Sequence, residues 1–147
     1  MEKALELAPG NPTVLVDLTK SEVWKRRNPR RARELMARAR THALSDLVAV
    51  FADWTDGLIE LEEGRPRAAI PVLEETYRRF SKFRHASPLT GSTLDQMSAA
   101  LTLATAAAGD PDAALRHYKQ AKPRLIALKH DDIIERCETA LGRAVDA

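Results

Sequence analysis

Gly109-Asp110-Pro111-Asp112-Ala113-Ala114-Leu115-Arg116-His117-Tyr118-Lys119-Gln120-Ala121 decides how this chain folds. Gly109 can end a helix in the left-handed conformation, and Asp110 can cap the next one. Pro111 suits a first helical position whose N–H has no intrahelical partner. The stretch therefore predicts two helices joined by a tight turn. Ala114, Leu115, Tyr118, Ala121 and Leu125 then share a face of the second helix, where the alanines permit close helix contact.

The same punctuation recurs upstream, in Gly64-Arg65-Pro66-Arg67-Ala68-Ala69-Ile70 and in Asn28-Pro29-Arg30-Arg31-Ala32. The alanines Ala32, Ala69 and Ala114 set intervals of 37 and 45 residues, in the range of helical-hairpin repeats. At these residues the chain resembles the tetratricopeptide repeat family. The matching pieces are the glycine before the turn (Gly64, Gly109), the small residue early in the second helix (Ala32, Ala69, Ala114), the large residue four further on (Met36, Leu73, Tyr118) and the later alanine (Ala39, Ala121). The first helix of each hairpin matches the family pattern poorly. The resemblance implies an all-α fold, a right-handed superhelix of antiparallel hairpins over 12–43, 45–84 and 92–129 within one domain, 1–147. Residues 1–10 read as the end of a preceding repeat in a larger protein, and 131–146 as a C-terminal capping helix.

Composition agrees with a helical, soluble chain. Of 147 residues, 44% are hydrophobic and only 5% aromatic, too few for strand-rich architecture, and the net charge of +2 makes no general case for a polyanionic partner. No apolar run reaches the roughly 18 residues that span a bilayer, so no membrane role and a cytoplasmic location are expected. The single cysteine, Cys137, has apolar neighbours at helical spacing and reads as a buried thiol. His42, His85, His117 and His130 are scattered without metal-ligand spacing, and no phosphate loop, nucleophile elbow or catalytic carboxylate pair stands out. No cofactor, no metal and no enzymatic activity are expected.

Charge is local. Lys25 to Arg40 holds eight basic residues against one acid, Glu34, whereas Asp46, Asp53, Asp56, Glu60 and Glu63 form a stripe along the next helix. Adjacent antiparallel helices would let the two faces neutralise each other. That arrangement competes with a nucleic-acid patch made of Arg26, Arg27, Arg30, Arg31, Arg33 and Arg38, which lacks aromatic residues for base stacking. Periodicity puts Trp54 in the core with Leu47, Phe51, Leu58 and Leu61, leaving the acids in water; the family register would turn Trp54 to the groove and bury the acids instead.

Further along, Pro71 and Pro123 should bend or delay their helices. Residues 84–92 read as a loop, 93–108 as a nearly uncharged central helix, and Asp131 as the cap of the last helix. The resemblance implies a scaffold that binds a partner peptide or helix in a concave groove, lined by Asp17, Ser21, Trp24, Thr55, Ile59, Ser98, Thr102 and Thr105. The neutral-to-acidic set Asp17, Thr55, Asp56, Ser98 and Thr102 favours a basic or apolar ligand and disfavours lysine clamping of a carboxylate tail. A third reading is a homo-oligomer through the N-terminal face, using Leu5, Leu7, Val14 and Leu15.

Overall fold

A computed structural model describes residues 11–83 and 88–146, and every regular element among them is helical. The helices are α1 (Pro12–Trp24), α2 (Pro29–Ala39), α3 (Asp46–Glu62), α4 (Pro66–Ser81), α5 (Pro88–Ala107), α6 (Pro111–Ala127) and α7 (Asp131–Asp146). They fall into two compact units that divide at Arg65–Pro66. The two helices of the segment 45–84, expected to form one hairpin, thus belong to different units.

Side-chain caps set several of the helix starts. Asn11 Oδ1 accepts from the Thr13 and Val14 amides at 2.9 and 3.2 Å, Asn28 Oδ1 from Arg31 at 3.2 Å, and Asp110 Oδ1 from Ala113 at 3.1 Å. In each case proline follows as the first helical residue, where its missing N–H costs nothing. Gly64 and Gly109 end their helices at φ +82° and +84°, and the next amide in each turn reaches back five residues, Arg65 to the Glu60 carbonyl and Asp110 to the Thr105 carbonyl, both at 2.9 Å. Lys129 makes the same corner at φ +58° without glycine's freedom, and the His130 amide donates to the Leu125 carbonyl.

In the N-terminal unit α1 packs against both α2 and α3, which themselves touch. Leu15, Leu18, Leu35, Ala39 and Ala52 are buried at its centre. Trp54 is fully buried, its ring 6.2 Å from Trp24 and 6.5 Å from Phe51. That is the register given by periodicity, with Asp53, Asp56, Glu60 and Glu63 kept at the surface. Leu47 departs from it: the second residue of α3, it is exposed.

In the C-terminal unit α5 packs against α4, α6 and α7. This demand from three sides explains a helix in which Met97, Ala99, Ala100, Leu101, Thr102 and Ala104 are all buried. Its one charge, Asp95, sits 2.8 Å from the Arg124 Nε. Burial raises the Asp95 pKa, an effect the guanidinium partly offsets. The Tyr118 hydroxyl on α6 donates to Glu138 of α7 at 2.6 Å, and Cys137 is buried with its thiol pushed up to about 12 by desolvation.

Several expectations need correction. The helix after the supposed loop 84–92 begins at Pro88, so 88–92 are helical, while 84–87 lie outside the described residues. Asp131 is the first helical residue and not the cap; the His130 carbonyl receives the Ile134 amide at 3.0 Å. Helix α4 begins at Pro66, so Pro71 does not delay its start, and both Pro71 and Pro123 lie inside their helices. Leu115 is exposed, because one residue of helix turns it about 100° from the Ala114, Tyr118, Ala121 and Leu125 line. Val145, in the last turn of the capping helix, is 71% exposed.

Candidate ligand-binding face

Helix α1 carries Asp17, Lys20, Ser21 and Trp24 at helical spacing of 3, 4 and 7 from the first, so the four share one face. With Lys25, the residue that ends the helix, they line a cavity of about 260 Å³. Lys20 is half-buried, and its ammonium lies 5.5 Å from the centre of the Trp54 ring, within reach of a cation–π attraction. Burial lowers the Lys20 pKa, with the Asp17 charge opposing and the Lys25 charge adding to the effect. Desolvation raises the Asp17 pKa, and Lys20 opposes that shift. The cavity therefore joins one carboxylate, two amino groups and a hydroxyl over an aromatic wall.

Three of the eight groove residues expected from the sequence, Asp17, Ser21 and Trp24, come together here. The others do not join them. Thr55 and Ile59 are buried in α3, and the Thr55 hydroxyl donates to the Phe51 carbonyl at 2.8 Å. Ser98, Thr102 and Thr105 are buried in α5 of the other unit, with Thr102 donating to the Ser98 carbonyl and Thr105 to the Leu101 carbonyl at 2.9 and 2.6 Å. The Thr102 and Thr105 hydroxyls are thus spent on the backbone of α5 itself. Lys20 and Lys25 were missed, although the spacing from Asp17 to Lys20 is the signal that would have found the first.

Four of the six arginines of the competing nucleic-acid patch, Arg26, Arg27, Arg31 and Arg33, pair with carboxylates, as does their neighbour Arg40. Arg27 Nε lies 2.7 Å from Glu62, Arg33 bonds both Glu60 and Glu63, and Arg40 reaches Asp53 and Asp56 at 2.9 and 2.5 Å. Arg65 closes the row on Glu60 and Glu63. Arg26 pairs with Glu22 at 3.0 Å and Arg31 with Glu34 at 3.5 Å. Arg38 is exposed, and Arg30 makes no ion pair among the described residues. The α2 and α3 faces thus form a seam of alternating charge.

A second cavity, about 460 Å³, lies along α7 and is lined by Asp131, Ile134, Glu135, Glu138 and Thr139. Among the described residues no group of three His, Cys, Asp or Glu side chains is placed to hold a metal ion, and no helix is long and apolar enough to cross a membrane. No family model matches this chain, and no curated protein or solved structure matches it.

Proposed function

We propose that the chain is a protein-interaction module whose α1 face receives an extended segment of a partner protein. The observation that carries this reading is the α1 cavity, where charged side chains of both signs and a serine hydroxyl stand over the Trp24–Trp54 pair. Such a combination, an apolar wall with a few converging polar groups, is the composition of peptide-binding pockets. The repeat punctuation gives the architectural context: a tetratricopeptide-like array would turn the first helix of each hairpin toward a concave groove, and α1 is such a helix. In this reading the chain works as a cytoplasmic scaffold and performs no chemistry of its own.

In this reading the ligand preference is the reverse of the one expected from sequence. Asp56 is engaged by Arg40, and Thr55, Ser98 and Thr102 are buried, so they leave the balance at the face to Asp17, Lys20 and Lys25. The preferred segment presents an acidic side chain to the two lysines and an apolar one to the tryptophan wall. Selection of a displayed random-peptide library on the chain should enrich Asp or Glu beside an aliphatic or aromatic residue. Lys20→Glu with Lys25→Glu should abolish binding of the selected peptides. Enrichment of Lys and Arg would overturn the charge preference, and failure to enrich any sequence would overturn the function.

The nucleic-acid reading is left with little: most of its arginines are committed to carboxylates of the same unit, and phosphates would have to displace them.

A further inference from the structure

A lysine accepts an acyl group only as the neutral amine, and a protein favours that form by drying the side chain or by setting a second cation beside it. Lys20 meets both conditions. It is half-buried, whereas Lys25, Lys82, Lys119, Lys122 and Lys129, the other lysines among the described residues, are all exposed. It lines the α1 cavity together with Lys25, whose charge opposes a second ammonium nearby. Burial acts most strongly on Lys20 and favours the neutral amine, while Asp17 favours the ammonium. From α3 it meets the Trp54 ring, which also favours the ammonium and holds the nitrogen 5.5 Å from the ring centre.

We infer that Lys20 is an acylation site, its amine taking a short acyl group from an acyl thioester. The neutral nitrogen attacks the thioester carbonyl carbon, and the N–C bond forms as the C–S bond breaks. The sulfur leaves with the bonding pair as a thiolate, and the nitrogen's extra proton passes to water. Nothing is oxidised or reduced. A cavity of about 260 Å³ has room for a two-carbon acyl group at the end of the side chain. Acylation removes one of the two cations that outweigh Asp17, so the face loses its positive balance and its grip on an acidic partner segment. That loss of grip rests on the reading of α1 as a ligand face; the acylation does not. Nor does the site draw on the N-terminal face considered from sequence, where Leu15 is buried and Leu5 and Leu7 lie outside the described residues.

The test is competitive labelling of the full chain with acetyl-CoA near neutral pH, with no peptide present. The chain is then unfolded, its remaining amines are capped with deuterated acetic anhydride, and the light-to-heavy ratio at each lysine is read by mass spectrometry. Lys20 should carry at least about threefold more light acetyl than any other lysine. That excess should vanish when the first step is run in denaturing urea. Lys25→Gln should lower the Lys20 ratio and Asp17→Asn should raise it, each by about twofold or more, without moving the ratios at Lys82, Lys119 and Lys129. Peptides selected on the chain should bind at least about tenfold more weakly to Lys20→Gln, which copies the loss of charge, and close to normally to Lys20→Arg. Equal ratios at Lys20 and the exposed lysines, an excess that survives urea, or a fall in Asp17→Asn would each overturn the acylation site. Normal peptide binding by Lys20→Gln would overturn its effect on the ligand. A peptide selection that enriches nothing overturns the ligand reading alone, because the labelling uses no peptide.

Discussion

The two units solve the same problem, keeping amphipathic helices side by side, with different materials. In the N-terminal unit all three helices contribute to the apolar centre and α1 meets both neighbours, while α2 and α3 also face each other across arginine and carboxylate. In the C-terminal unit one nearly uncharged helix, α5, with Ala99, Ala100, Ala104 and Ala106 buried along it, is packed from three sides. A large aromatic cluster tolerates some slack at its rim, while a stack of alanines tolerates none, because backbones that close leave no room for an extra methylene. The units should therefore fail under opposite kinds of substitution.

The largest effect is expected from Trp54→Ala, which would leave a cavity beneath Trp24, Phe51 and Lys20 and cost about 3–5 kcal/mol. The chain's only two tryptophans, Trp24 and Trp54, lie in the N-terminal unit, so the remaining Trp24 fluorescence should report the loss as an earlier urea transition. Ala100→Leu is the counterpart in the C-terminal unit: overpacking a position with no exposed surface should cost about 1–3 kcal/mol. Its loss should appear in circular dichroism with little movement of the tryptophan signal; equal movement of both would show the units melting as one.

Smaller effects are expected within the seam, and its two ends should differ in sign with pH. The Arg65 hydrogen bond is the largest cause holding Glu60 below the usual glutamate range, so Glu60 contributes stability above the unfolded pKa that is lost as pH falls through the lower folded value. At Asp56 desolvation outweighs the Arg40 bond and raises the pKa, so stability instead falls as pH rises from 3.8 through the folded value. Glu60→Gln should consequently destabilise at pH 6 by less than about 1 kcal/mol, an exposed pair's worth, with the difference from wild type shrinking on acidification. Asp56→Asn should be neutral or slightly stabilising at pH 6. Urea midpoints for both variants between pH 3 and pH 6 would decide this, and a common sign would remove the distinction between the two ends.

Much of the fold was legible because it rests on local chemistry. Asn11-Pro12, Asn28-Pro29 and Asp110-Pro111 cap and open helices wherever they occur, and Gly64 and Gly109 close them. The acidic stripe opposite the arginine helix was legible too, since charge and periodicity coincide there. The groove was less so. Thr55, Thr102 and Thr105 look like surface residues by type, yet a threonine can satisfy its hydroxyl on the carbonyl three or four residues back and then be buried at little cost. Lys20 was missed for a related reason: a long aliphatic stem lets a cation lie against tryptophan, which no hydropathy pattern records. Leu47, Leu115 and Val145 mark the other boundary, where an apolar residue at the edge of a stripe or in a last turn finds nothing to cover it.

The α2–α3 seam also bears on how the chain behaves when warmed. Hydration of charged groups becomes less favourable as temperature rises, so the cost of bringing Arg27, Arg33, Arg40 and Arg65 against their carboxylates declines, whereas apolar burial gains little more per unit area. A row of linked pairs that contributes modestly in the cold should hold a growing share of the N-terminal unit's cohesion near its melting point, while the alanine-packed α5 gains no comparable reserve.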